Sequence, residues 1–171
     1  MQQIFLIGYM GSGKTTVGKL LAACLDFSFI DLDHYIENRY NRRISDIFAE
    51  FGETGFRKIE HRLLQEVAEI EIVVVSTGGG APCFFDNMQL MNSKGMSVYL
   101  RTSPAVLAER LQKAQSNRPL LCGKSSEELL AFIKKMLVER ESFYCQASLM
   151  VENNDSNPQE VCEEILRKIK Y

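Results

Sequence analysis

Near the N-terminus, Gly8-Tyr9-Met10-Gly11-Ser12-Gly13-Lys14-Thr15 follows the apolar run Ile4-Phe5-Leu6-Ile7 and opens a helical pattern. Few folds send a strand through a glycine-rich loop straight into a helix, and the residue types favour a phosphate-binding loop. Gly11, Ser12 and Gly13 let successive backbone N–H groups turn inward, and the positive end of the following helix joins that cradle. Lys14 can reach the outer phosphates, the Thr15 hydroxyl can ligate Mg2+, and Thr16 follows in the first helical turn. The expected ligand is a nucleoside triphosphate. An ordinary glycine-rich turn needs neither the strand before nor the helix after.

The remainder alternates strand and helix. Val17, Leu20, Leu21, Cys24 and Leu25 recur at the spacing of a helix packed on a sheet, so Cys24 is expected to be buried. Phe29-Ile30 predicts a second strand leading into Asp31-Leu32-Asp33, and helical periodicity returns from Ile36 to Tyr40 and from Ile44 to Phe51. Gly52 and Gly55 predict a turn before a longer helix carrying Phe56, Ile59, Leu63 and Val67. Ile72-Val73-Val74-Val75 is a continuous β-branched run, the pattern of a strand covered on both faces, and it ends in Ser76-Thr77-Gly78-Gly79-Gly80. Asp86 can cap a helix through Ser93, Ser97 to Leu100 reads as a fourth strand, and Ser103-Pro104 starts a helix with Val106, Leu107 and Leu111. Ser125 to Glu128 offers a capping box for a helix through about Gln146; Leu149-Met150-Val151 is a fifth strand, and Asn157-Pro158-Gln159-Glu160 caps the last helix. The expectation is an α/β three-layer fold: one domain over 1–171, a five-stranded parallel sheet with helices on both faces. A helical insertion falls at about 34–62, and the polar, aperiodic stretch 112–124 reads as a lid.

A chain of 171 residues, 46% hydrophobic and 25% charged, can bury the core of one such domain. Its net charge of -2 argues against a bulk nucleic-acid binder. No run reaches the eighteen or so apolar residues of a membrane span, and Met1-Gln2-Gln3 lacks the basic start of a signal peptide. A cytoplasmic protein with no membrane or nucleic-acid partner is expected. Cys24, Cys83, Cys122, Cys145 and Cys162 are scattered without a C-x-x-C pair, which predicts reduced thiols rather than a zinc site or disulfide framework. Cys122 lies in the polar stretch, open to modification.

In open α/β sheets ligands sit beyond the carboxyl ends of the strands, where Gly8 to Thr15, Asp31 to Asp33 and Gly78 to Gly80 should converge. The glycine run frees backbone N–H groups that could hold an anionic substrate or the transferring group. Two carboxylates flanking one turn suit a division between a metal and a substrate hydroxyl, and phosphoryl transfer needs little more than such positioning and charge stabilisation. Asp33, directly before a helical pattern, could equally be its N-cap. The strand Val73 to Ser76 lacks the terminal Asp of a Walker B motif, which leaves Asp31 and Ser76 as metal helpers. Neither Asn-Lys-x-Asp nor a following Asp-x-x-Gly is present, against a GTPase switch. A small kinase remains, and Arg57, Arg118 and Arg140 have the guanidinium forks that suit carboxylates and phosphates. Spacing alone also allows Arg57 to pair with Glu60 at i+3.

Taken together, residues 8–18, Asp31-Leu32-Asp33, Ile47-Phe48 through Gly52-Glu53, Phe56-Arg57-Lys58-Ile59-Glu60, Gly78-Gly79-Gly80-Ala81, Arg118-Pro119-Leu120-Leu121 and Arg140 resemble the shikimate kinases along nearly the whole chain. The resemblance implies a P-loop kinase that moves the ATP γ-phosphate to the 3-hydroxyl of shikimate, on the route to chorismate and the aromatic amino acids. It implies that Lys14 holds the transferring phosphate, Thr15 ligates Mg2+ directly and Asp31 reaches the metal through water. Asp33 would engage the ring hydroxyls and act as base, and Arg57 and Arg140 would clamp the substrate carboxylate with help from Gly79 and Gly80. Glu60 would hold Arg57 in place. Arg118 would meet the phosphates, while Arg110 and Pro158 would line the adenine. A monomer is expected to suffice. Another small-metabolite kinase, acting on gluconate or a nucleoside monophosphate, is the alternative, and it would need a different arginine set.

Overall fold

Side chains along a strand point alternately to opposite faces; here both sets are apolar, so the sheet must be covered twice. The computed structural model, which describes residues 3–113, 125–154 and 157–169, meets that requirement. Strands β1 (Gln3–Ile7), β2 (Ser28–Asp31), β3 (Val73–Ser76), β4 (Met96–Arg101) and β5 (Leu149–Glu152) form one parallel sheet in the order β2-β3-β1-β4-β5. Ile4, Leu6, Val74, Val98 and Val151 turn to one face, where Val17 and Leu21 of α1 (Lys14–Leu25) and Val161 and Ile165 of α7 (Pro158–Ile169) cover them. Phe5, Ile7, Val73, Val75 and Tyr99 turn to the other. There they join residues of α2 (Leu32–Tyr40), α3 (Ile44–Val67), α4 (Asn87–Lys94), α5 (Pro104–Lys113) and α6 (Ser126–Tyr144). Each fully buried Leu, Ile or Phe stabilises the fold by about 1.5–3 kcal/mol.

The topology puts the carboxyl end of β1 at the place that matters. From β1 the chain crosses to β2 on one side, and from β3 it crosses back over β1 to β4 on the other. Strand order therefore reverses beside β1, and the crevice so opened is where such sheets bind ligands.

Several local expectations shift. α2 begins at Leu32, immediately after β2, so Asp31 is its N-cap and Asp33 lies inside the first turn; the Asp31 carboxylate accepts from His34 N at 3.4 Å. α3 runs through Gly55, because one residue, Gly52 (φ 65°, ψ -178°), makes the whole bend. Ile72, at φ 56° and 45% exposed, falls outside β3, which takes in Ser76 instead. Cys24 is exposed. α1 rests on the sheet through Gly18, where an added Cβ would stand 2.6 Å from the Phe29 ring, and this close approach rotates the buried stripe to Val17, Gly18, Leu21 and Ala22. The Ser125 capping box forms, with Glu128 N donating to Ser125 Oγ and Ser125 N to Glu128 Oε2, but α6 ends at Tyr144. Gln112 and Lys113 belong to α5, while the rest of the expected lid, with Arg118 and Cys122, lies outside the described residues.

Candidate active site

The glycine-rich loop turns through positive φ at Gly11 (83°) and Gly13 (86°), conformations that side chains resist, and delivers the chain into α1 at Lys14. Asn153, just past β5, braces this loop: its buried side-chain amide donates to Ser12 O at 2.7 Å. Lys14 is almost wholly buried and its Nζ donates to Gly8 O (2.8 Å) and Tyr9 O (2.9 Å), which folds the amine back over the loop.

Beside it, Thr15 Oγ1 donates to Asp31 Oδ2 at 2.7 Å. Asp31 thus caps α2 with one oxygen and meets the loop's hydroxyl with the other. Ser76 stands next to Asp31 in the sheet register but is buried. A hydroxyl and a carboxylate, both hard oxygen donors, fit Mg2+, which keeps several waters and takes its remaining ligands from substrate phosphates. Among the described residues no three His, Cys, Asp or Glu side chains form a metal-holding group of their own.

The second wall is built by α2, α3, α6 and the glycine run after β3. Arg57, only 8% exposed, donates from Nη1 to Glu60 Oε2 at 2.7 Å and lies 3.6 Å from the Glu53 carboxylate. Its guanidinium sits 4.3 Å from the Phe84 ring centroid and 5.2 Å from that of Phe56, which stacks on Phe48 at 4.2 Å. The i+3 pairing that the spacing allowed is therefore formed. The guanidinium also presses on Gly80, and the Glu60 and Asp33 carboxylates fill the space a Cβ would take at Gly78 (2.7 and 2.9 Å). Arg57 Nε and Glu60 Oε1 are buried without a protein partner, so the pair retains hydrogen-bonding capacity for a polar ligand.

Electrostatics follow from this crowding. Burial pushes the Glu60 carboxyl up to about 7 against the pull of Arg57. Asp33 opens onto the cleft, yet protein surrounds its carboxyl; burial and then the Asp31 charge raise it above the usual carboxylate range, while Lys14 and Arg57 pull it down. Such a carboxyl is a better proton acceptor than one in water.

Arg140, on α6, places its guanidinium 5.5 Å from the Tyr9 ring centroid and donates from Nη1 to Gly79 O at 3.4 Å. Tyr144, one helical turn on, donates its hydroxyl to the same oxygen at 2.6 Å. Sequence reasoning missed Tyr144, Asn153 and Phe84; of these only Tyr144 carried a signal, its i+4 spacing from Arg140. On the far side of the loop, Arg110 Nη2 donates to Asn154 O at 2.8 Å. Thr16 and Pro158 both line an open groove of about 490 Å3, together with Lys19, Leu20 and Asn157. Arg110 is not among its lining residues, so this groove does not join the two expected adenine contacts.

The family model for shikimate kinase matches residues 10–170. A shikimate kinase from Parabacteroides distasonis is 58% identical over 149 residues, 87% of this chain and 86% of that protein. Among solved structures, a shikimate kinase from Bacteroides thetaiotaomicron superposes with a TM-score of 0.94 at 45% identity, covering 99% of this chain and 98% of that one. A shikimate kinase from Acinetobacter baumannii in complex with shikimate superposes with a TM-score of 0.89 at 35% identity, covering 99% and 93%. With its phosphate loop, its glycine run and its arginines on one P-loop kinase scaffold, the chain belongs to the shikimate kinase family.

Proposed function

We propose that this chain transfers the γ-phosphate of ATP to the 3-hydroxyl of shikimate, giving shikimate 3-phosphate and ADP, a step toward chorismate and the aromatic amino acids. One observation carries the reading. Across the cleft from Lys14, two guanidiniums converge on the Gly78–Gly80 run, Arg57 against Gly80 and Arg140 on the Gly79 carbonyl, where a carboxylated acceptor would lie. Arg57, Arg140 and the N–H groups of Gly79 and Gly80 then hold the acceptor's carboxylate, and Asp33 takes or orients the hydroxyl proton. Lys14 and the N–H groups of Gly11 and Gly13 hold the phosphates, with Thr16, Arg110 and Pro158 toward the base; the Ser12 N–H instead donates to Tyr9 O at 3.1 Å and closes the loop's turn. Arg118 is assigned to the phosphates by the family resemblance alone.

Thr15 would hold Mg2+ directly and Asp31 through water, and the ion when bound neutralises charge developing on the phosphates. Residues 34–62 act as the acceptor-binding insertion of a single kinase domain. A monomer suffices on this reading, since every group assigned comes from one chain. The cytoplasm supplies ATP and keeps the scattered cysteines reduced; no helix among the described residues is long and apolar enough to cross a membrane. The test is ADP release with a panel of acceptors: shikimate should support it, and gluconate, AMP and CMP should not. Comparable turnover on any of those three refutes the assignment.

A further inference from the structure

Gly79 is the point where the two walls touch. A Cβ there would stand 3.1 Å from Met10 N and 3.5 Å from Gly8 O, so its backbone packs on the phosphate loop, while its carbonyl is claimed by α6. Two donors share that oxygen: the Tyr144 hydroxyl at 2.6 Å and Arg140 Nη1 at 3.4 Å. They are unequal. Tyr144 is fully buried and its ring packs beside Tyr99 at 5.1 Å, whereas Arg140 is half-exposed and makes the longer bond. A trans peptide points its C=O and the next N–H in opposite directions. Drawing Gly79 O toward α6 therefore turns Gly80 N–H away from it. Among the described residues, no protein group accepts from the N–H of Gly79 or Gly80. Glycine peptides rotate easily, so three in a row stay aimed only if something anchors them.

We propose that Tyr144 is a positioning residue for the phosphoryl acceptor. Its hydroxyl sets the plane of the Gly79–Gly80 peptide, so that the Gly80 N–H, at the other end of that peptide, is aimed at the acceptor's carboxylate. It also keeps the Gly79 carbonyl satisfied when Arg140 turns from that oxygen to the same carboxylate. This rests on the reading that puts Gly79, Gly80, Arg57 and Arg140 at the acceptor.

Steady-state kinetics of the full chain test it. In Tyr144→Phe the KM for shikimate should rise about five- to tenfold, the worth of one hydrogen bond, with kcat within about twofold and the KM for ATP unchanged. Tyr99→Phe is the control: it deletes a hydroxyl from the same aromatic pair, one bonded to Glu141 at 3.1 Å and not to Gly79, and should leave the shikimate KM alone. A normal shikimate KM in Tyr144→Phe overturns the proposal whatever its melting temperature, and so does an equal rise in Tyr99→Phe, which would report general loosening. Arg57→Ala separates the readings. If it too leaves the KM unmoved, the acceptor site itself is misassigned; if it raises the KM and Tyr144→Phe does not, only the role of Tyr144 falls. Should Tyr144→Phe not fold, the unmodified protein decides: on shikimate titration the Gly80 amide resonance should shift while the Tyr144 hydroxyl proton stays protected from solvent exchange, and a hydroxyl proton that becomes freely exchangeable overturns the proposal. An unmoved Gly80 resonance overturns it too.

Discussion

The two walls of the cleft are made of different material. The phosphate wall is main chain: a loop of turning N–H groups, a helix N-terminus and the Asn153 brace, with Lys14 folded over it. The acceptor wall adds to the glycine run side chains drawn from α2, α3 and α6, and it keeps a guanidinium and a carboxylate almost out of water. Backbone dipoles bind an anion without burying a charge of their own. Burying Arg57 and Glu60 costs several kcal/mol per ion before pairing, and their 2.7 Å contact and the aromatic rings around Arg57 offset part of it. The phosphate wall buries Lys14 as deeply as the acceptor wall buries Arg57, at 8% exposed each; what sets the acceptor wall apart is its second buried ion, Glu60, at 1%.

That division makes predictions that can break it. The largest effect belongs to Lys14→Ala, expected to lower kcat by about 10²–10³-fold, the scale for removing one preorganised charge partner, with the shikimate KM nearly unchanged. A parallel rise in that KM would mean the walls do not act separately. Next, Arg57→Ala should raise the shikimate KM at least about tenfold, as loss of a charge-assisted contact implies, and leave the KM for ATP alone. Its melting temperature should also drop, because Glu60 stays buried without its partner. An intact melting curve would show that the acceptor wall carries no such cost.

The smallest effect is a slope. Glu60, raised to about 7 from an ordinary 4.5, gives the folded chain the greater share of bound protons between those values. Its contribution is complete below about pH 4.5 and is lost as pH rises through about 7, so stability declines across that window. Denaturant midpoints should therefore fall more steeply with pH in the native sequence than in Glu60→Gln; parallel profiles would remove Glu60 as the cause.

Residues near one another in the chain carried their meaning without the fold. The loop, the strand–helix alternation and the closeness of Thr15 to Asp31 at the sheet's carboxyl edge were all readable, because turn chemistry and periodicity act over a few residues. The N-cap of α2 fell to Asp31 and not to Asp33 because α2 starts at the residue directly after β2 ends, a boundary that periodicity does not resolve.

The sequence by itself determined the scaffold and the phosphate loop, since both follow from local backbone preferences that act before any distant contact forms. Only the tertiary structure decided that Cys24 faces solvent, that Asn153 reaches across 141 positions to Ser12, and that Phe84 lies over Arg57. It also brought Tyr144 onto the Gly79 carbonyl, 65 positions away. Those contacts come from how helices settle on the sheet, a matter of fit between distant surfaces that no short window of residues encodes.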